Sequence, residues 1–174
     1  MTHKSPVAGS GYMFPPMLAT ITAYGVGLFF HVLAVVLAFG PTFGYGFFIA
    51  TAERDDPRSV PTVLRGIQQV DRFLVQPGLV VVLVAGIYLL AKADISASES
   101  WVSVGFLAII VLFGLSHGLF RPQTAKALAL AERDLKAGDA LGAEYTAISK
   151  RLENAGKLAG LIVAVTIFFM VVKP

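Results

Sequence analysis

No charged side chain occurs between Lys4 and Glu53. Three further windows are equally free of Asp, Glu, Lys and Arg: Phe73–Ala91, Ser100–Phe120 and Leu158–Val172. An α-helix rises about 1.5 Å per residue, so a hydrocarbon layer of about 30 Å takes roughly 20 residues to cross. The second and third windows match that length directly. The fourth is shorter and spans if Lys157 and Lys173 reach for the two interfaces while the bilayer thins slightly. Composition points the same way. Charged residues make up 14% of the chain and hydrophobic residues 56%, with a mean hydropathy of +0.73. Ordinary globular domains carry about 25% charged residues, so a disordered chain, a coiled coil and a cytosolic domain are all excluded.

The first window exceeds one span. Its opening, Gly9-Ser10-Gly11-Tyr12-Met13-Phe14-Pro15-Pro16, is rich in helix breakers, which sets the helix start near Met17–Thr20. Pro41 cannot donate to the carbonyl of Leu37 and crowds it, so a kink is expected at Gly40-Pro41. The aromatic, Gly-rich stretch Thr42–Phe48 then suits the interfacial end of the span. A cleavable signal peptide is the rival reading, but its apolar core runs only about 7–15 residues. The segment is read as a span.

Lys and Arg set the orientation. The loop after the first span holds four, the loop after the third holds seven, and the tail, the second loop and the C-terminus hold one each. Both termini are therefore expected outside, with the two long loops in the cytoplasm. Trp101 stands where an interfacial aromatic belongs. The net charge of +3 fits a membrane protein with basic loops; acidic and basic residues are intermixed, which argues against nucleic acid as a partner.

Both long loops read as helical. Ser59 is placed to cap a short helix with Pro61 in its first turn, and Val63, Ile67, Val70 and Leu74 recur at helical spacing into the second span. Gln76-Pro77-Gly78 is expected to kink that entry. In the third loop Leu128, Ala131 and Leu135 share a face, and Glu132 and Lys136 form an i,i+4 pair. Gly138-Asp139 reads as a helix stop followed by a new cap, after which Leu141, Tyr145, Ile148 and Leu152 resume the stripe. The fold class expected is all-α: a four-helix transmembrane bundle with a cytoplasmic helical hairpin extending helices 3 and 4. Residues 1–174 form a single integral membrane domain. Its spans fall at about 20–48, 73–91, 101–120 and 155–172, with cytoplasmic loops at 51–72 and 121–154. The apolar stripes of the hairpin either zip the two extensions together or leave a docking surface for a partner over residues 122–157.

Few residues offer chemistry. The chain has no Cys and three His (His3, His31 and His117). His31 lies well inside a span, where an imidazole needs a partner. It is either a cofactor or metal ligand or proton relay, or a neutral ring hydrogen-bonded to a neighbouring helix. By helical rise His31 and His117 differ in depth by more than ~10 Å, which sets them apart as joint ligands of one haem. Gly40-x-x-x-Gly44 and Gly114-x-x-x-Gly118 allow close helix approach, within the chain or in a homo-oligomer. Asp71, Arg72 and Gln76 gather at the inner mouth of the second span, with Asp71 expected to pair with a loop Arg and Arg72 to snorkel. Glu132 and Asp134 read as solvated. No carboxylate pair, phosphate loop, nucleophile–base set or zinc pattern is present, and no metal is assigned.

Phe30-His31-Val32-Leu33-Ala34, Gly40-Pro41-Thr42-Phe43, Pro77-Gly78, Gly86-Ile87-Tyr88-Leu89 and the terminal Met170-Val171-Val172-Lys173-Pro174 together resemble the bacterial integral membrane family DUF2269, a domain of unknown function. The resemblance runs from about Tyr24 to Pro174 and implies a four-helix bacterial membrane protein. A first-span His is also similar to those of the CopD copper-resistance domain and of HemJ-type protoporphyrinogen oxidases. Of the functional positions of those families only His31 has a counterpart here. The reading that follows is a non-enzymatic structural or partner-interacting protein of the bacterial inner membrane, with no cofactor. The alternative is a haem- or quinone-linked redox protein using His31. A transporter is a third reading, for which one buried titratable group offers little ion path.

Overall fold

The computed structural model describes residues 22–174, and its regular structure is entirely helical. Four helices are each long and apolar enough to cross a membrane: α1 (Ala23–Asp55), α2 (Pro57–Lys92), α3 (Ser100–Ala137) and α4 (Ala143–Val172). The all-α class and the helical hairpin of α3 and α4 are as the sequence implies. The expected helix start near Met17–Thr20 lies outside the described residues. Within them, Thr22 caps α1, its hydroxyl oxygen accepting from the Gly25 N–H at 3.0 Å.

Each proline inside these helices is accommodated without ending the helix. Gly40 and Pro41 both keep right-handed helical dihedrals. The hydroxyl of Thr42 donates to the Phe39 carbonyl at 2.6 Å, close to the gap in the backbone ladder. Helix α1 therefore runs through the aromatic stretch to Asp55 instead of ending there. In α2 and α3 the device is different and used twice. A π-helical turn, Asp71–Val75, precedes Gln76-Pro77, and another, Ser116–Phe120, precedes Arg121-Pro122. Proline lacks an N–H and crowds the carbonyl four residues back; the wider π turn makes room for that ring.

Two expected caps fall elsewhere. Asp56, not Ser59, caps α2, its carboxylate accepting from the Arg58 N–H at 3.1 Å. A 3₁₀ turn at Pro57–Ser59 starts the helix early and leaves Ser59 already helical, donating back to the Asp56 carbonyl. At the α3–α4 link, Gly142 rather than Asp139 occupies the cap position of α4, and Gly138 is extended rather than left-handed. The link is closed from the α3 side instead. The Asp134 carboxylate accepts from the Gly142 N–H at 2.8 Å and from the Arg133 guanidinium at 2.9 Å. Asp134 is thus a structural anchor, not a solvated bystander.

Those two partners, the backbone N–H first, hold the Asp134 carboxyl below its ordinary value. Its folded value therefore lies under the unfolded one, about 3.9. The stability it contributes is complete above that value and is lost as pH falls through the folded value. We expect amide exchange over 138–146, corrected for intrinsic pH dependence, to accelerate below about pH 4. Asp134→Ala should show the faster exchange already at neutral pH, and equal exchange in the two proteins would refute the anchor.

Packing divides the molecule along its length. Large apolar side chains exposed at the surface lie in four groups, Tyr24–Phe48, Phe73–Tyr88, Leu107–Phe113 and Leu158–Val172, and none falls between Phe113 and Leu158. So much contiguous apolar surface has no place in water and suits a lipid solvent. There the helices associate in pairs, α1 with the second half of α2 and the first half of α3 with α4. Ala38 of α1 is buried against Gly78 of α2, and Ala34 and Leu79 are buried as well.

The other end, carrying the charged loops, holds the packed core. Ala52 of α1, Val60 and Leu64 of α2, Ala127, Leu130 and Ala131 of α3 and Tyr145 of α4 bury one another, with Ile49, Val63, Leu128, Leu141, Ile148 and Leu152 around them. The hairpin stripes are consumed by four helices rather than zipped between two. Leu130 and Ala127 lead the α3 face, while Leu135 stands outside that core.

Candidate functional site

The two π turns lie where α2 and α3 pass from the apolar half into the charged end, and they bring polar groups together there. In each turn the amide after the π segment reaches back five residues, Gln76 N–H to the Asp71 carbonyl and Arg121 N–H to the Ser116 carbonyl. The extra residue turns Gln76 toward α3. Its side-chain amide donates to the Ser116 hydroxyl at 2.6 Å and to the Asp71 carboxylate at 3.0 Å. Arg121 faces the other Asp71 oxygen at 3.5 Å. Ser116 is only 6% exposed. The Tyr45 hydroxyl of α1 is also buried and meets no hydrogen-bond partner among the described residues.

The sequence places Asp71 and Gln76 at this level and an Arg opposite Asp71; the structure identifies that Arg as Arg121. Arg72 turns outward, its guanidinium 5.6 Å from the centre of the exposed Phe73 ring. The sequence does not single out Ser116 or Tyr45. The available signals were a hydroxyl inside an apolar run followed by Arg-Pro, and a tyrosine among phenylalanines. Neither names its partner without the fold.

His31 sits farther toward the end that carries the described chain ends. Its Nδ1 lies 3.0 Å from the Val82 carbonyl of α2. A carbonyl only accepts, so Nδ1 carries a proton and donates it to Val82. Gly86 lies alongside: a methyl group there would stand 3.4 Å from the ring, at ordinary van der Waals contact. His117 is exposed and held by its own helix, with Nδ1 at 3.1 Å from the Phe113 carbonyl and its ring stacked on Phe113 at 4.2 Å. The two imidazoles therefore answer to different elements. Among the described residues no group of three or more His, Asp or Glu is placed to hold a metal ion.

At the charged end, acidic side chains are tied across helices. The Tyr145 hydroxyl, 2.8 Å away, and the Ser149 hydroxyl, 2.6 Å away, both donate to Glu53. Burial first, and the Glu53 carboxylate next, push the Tyr145 pKa well up, so the phenol stays a donor throughout the physiological range. Glu132 bonds to Arg65 of α2 at 2.5 Å rather than to Lys136. Arg58 pairs with Asp139, Arg133 with Glu144 at 3.1 Å and Lys157 with Glu153 at 2.6 Å. Exposed pairs of this kind add little stability; they fix which helix faces which. Lys126, Lys136, Lys150 and Arg151 are exposed and enter no ion pair among the described residues.

The family model described as a predicted integral membrane protein, DUF2269, matches residues 26–174. The chain belongs to that family, as its apolar motifs suggest. No curated protein and no solved structure matches it.

Proposed function

We propose that this member of the DUF2269 family is a non-enzymatic structural component of the bacterial inner membrane, with both termini outside and the charged helical end in the cytoplasm. One observation carries the reading: the imidazole inside the apolar half and the amide at its border are each spent on a neighbouring helix. His31 bonds to the Val82 carbonyl and Gln76 to Ser116. Such bonds contribute about 0.6 kcal/mol each on average, up to about 2, and serve to set which helices touch. The preponderance of Lys and Arg in the two long loops supports the orientation. With the hairpin stripes buried, what residues 122–157 offer a partner is charge. Lys126, Lys136, Lys150 and Arg151 suit an acidic protein surface.

One tagged preparation tests this. With an epitope inserted after Gly138, the tag should be reached by antibody in inside-out vesicles and shielded in intact cells. The detergent-purified protein should be colourless, and His31→Ala should leave its visible spectrum unchanged. Reversing the four free cations should abolish co-purification of an acidic partner. A Soret band that disappears in His31→Ala would replace this reading with haem chemistry, and a partner that ignores the charge reversal would remove its interaction half.

A further inference from the structure

Where the apolar surface meets the charged end, the four helices balance their charges differently. On α1, Arg54 bonds to the Asp55 carboxylate at 2.6 Å, and on α4, Lys157 bonds to Glu153 at 2.6 Å. The cations of those two helices are neutralised by their own neighbours. Those of α2 and α3 are not. Arg72 is exposed and enters no ion pair among the described residues; its guanidinium lies 5.6 Å from the ring centre of Phe73, the first large apolar side chain exposed on α2. Arg121 of α3 stands at the same level, since its Nε faces the Asp71 carboxylate at 3.5 Å. That carboxylate is one negative charge against two arginines, and it also accepts from the Gln76 amide at 3.0 Å. The Arg121 side chain keeps 49% of its surface exposed. The border therefore carries its excess positive charge on the α2–α3 side.

Apolar surface begins at once beyond Arg72. Val80, Val81 and Val84 of α2, with Val26, Gly27 and Phe30 of α1, line an open groove of about 430 Å³. Its near end, at Val80, lies eight residues past Arg72, or about 12 Å along the helix. That is within one leaflet of a hydrocarbon layer about 30 Å thick. We propose that α2 and α3 bind an anionic phospholipid at this border, its headgroup on the positive edge formed by Arg72 and Arg121 and one acyl chain in the α1–α2 groove. Guanidinium groups present paired N–H donors that match phosphate oxygens. A zwitterionic headgroup brings its own cation to an edge that is already positive, whereas an anionic one supplies the missing charge. A soluble phosphate would meet the arginines and leave the groove unused. The inference goes beyond a structural role, because it names a lipid that the protein selects.

The full chain in neutral detergent, titrated with phosphatidylglycerol or with phosphatidylcholine of the same acyl chains and followed by native mass spectrometry, tests this. The wild type should bind phosphatidylglycerol more tightly. Arg72→Gln and Arg121→Gln should each weaken that binding about fivefold, as one basic side chain near an anionic lipid contributes, and leave phosphatidylcholine unchanged. Lys136→Gln removes an exposed cation about 22 Å farther along α3 and should change neither. Glycerol phosphate at the same concentration should not displace the lipid. Equal binding of the two lipids would overturn the proposal. So would a loss in Lys136→Gln as large as in Arg72→Gln, which would mean diffuse attraction to the whole charged end. Displacement by glycerol phosphate would overturn it in favour of a soluble anion. If Arg121→Gln does not fold, Arg72→Gln decides, since Arg72 pairs with no carboxylate among the described residues.

Discussion

Leu64→Ala should cost about 2–5 kcal/mol, the range for emptying a fully buried leucine site. Leu64 is 1% exposed and lies among side chains from all four helices, so the cavity has no flexible neighbour from one side alone to fill it. For a chain of this length the loss corresponds to a fall in Tm of about 2–4 °C for each kcal/mol. Hydrogen exchange should locate it. Protection is lost together over Val60–Val70, Arg121–Ala137 and the first turns of α4, because those segments share the core. Leu161→Ala removes a side chain of the same size that is 61% exposed on the apolar half, and should stay within about 0.5 kcal/mol. A Leu64→Ala variant no less stable than Leu161→Ala would mean that the core at the charged end does not govern stability.

Gly78→Ala is expected to force α1 and α2 apart. A methyl group at Gly78 would stand 2.7 Å from the Ala38 Cβ and 3.2 Å from its Cα, and Ala38 is fully buried. The nearest atoms are the Cβ and the backbone of Ala38, none of which a side-chain rotation can move. Overpacking of this kind costs about 1–3 kcal/mol, against which alanine returns up to about 1 kcal/mol of helix propensity. Gly114→Ala and Gly118→Ala meet nothing within 4 Å and should be neutral or stabilising. The check is thermal unfolding in one detergent, with Ala38→Gly added to Gly78→Ala. The double variant should recover most of the loss, since the two positions are in contact. Equal losses at Gly78 and Gly114 would refute the assignment of the crossing.

That contrast shows where sequence reading stops. Gly114-x-x-x-Gly118 has the spacing of a helix-packing motif and, like Gly40-x-x-x-Gly44, meets no neighbouring helix. The close approaches use Gly78 against Ala38, Gly27 under the Tyr88 ring and Gly105 under Met170, none of which belongs to a spaced pair. Spacing reports which residues share a face; it says nothing about which helix that face meets. The four apolar windows were legible because lipid thickness imposes a length on any chain that crosses it. The Val63–Leu74 periodicity was legible because it continues unbroken into an apolar run. By contrast, spacing pairs Glu132 with Lys136 on its own helix, yet it bonds to Arg65 on another, and Asp134, on a charged helical face, closes the link instead of being solvated. At the polar junction, Asp71 and Gln76 stood out as polar groups beside an apolar window, whereas the buried Tyr45 hydroxyl and Ser116 became visible only once α1, α2 and α3 were in place.

The two π turns carry a consequence for how α2 and α3 are built. Each rod must satisfy two facings: just past its π turn α2 presents Gly78 to Ala38, and before that turn it presents Val60 and Leu64 to α3 and α4. One inserted residue swings everything beyond it by about 100° around the axis. A wide turn at the boundary absorbs such a swing, so the register demanded in hydrocarbon and the register demanded in water are set separately along one continuous helix. Deleting a single residue from Asp71–Val75 or Ser116–Phe120 removes that adjustment and leaves one facing misaligned.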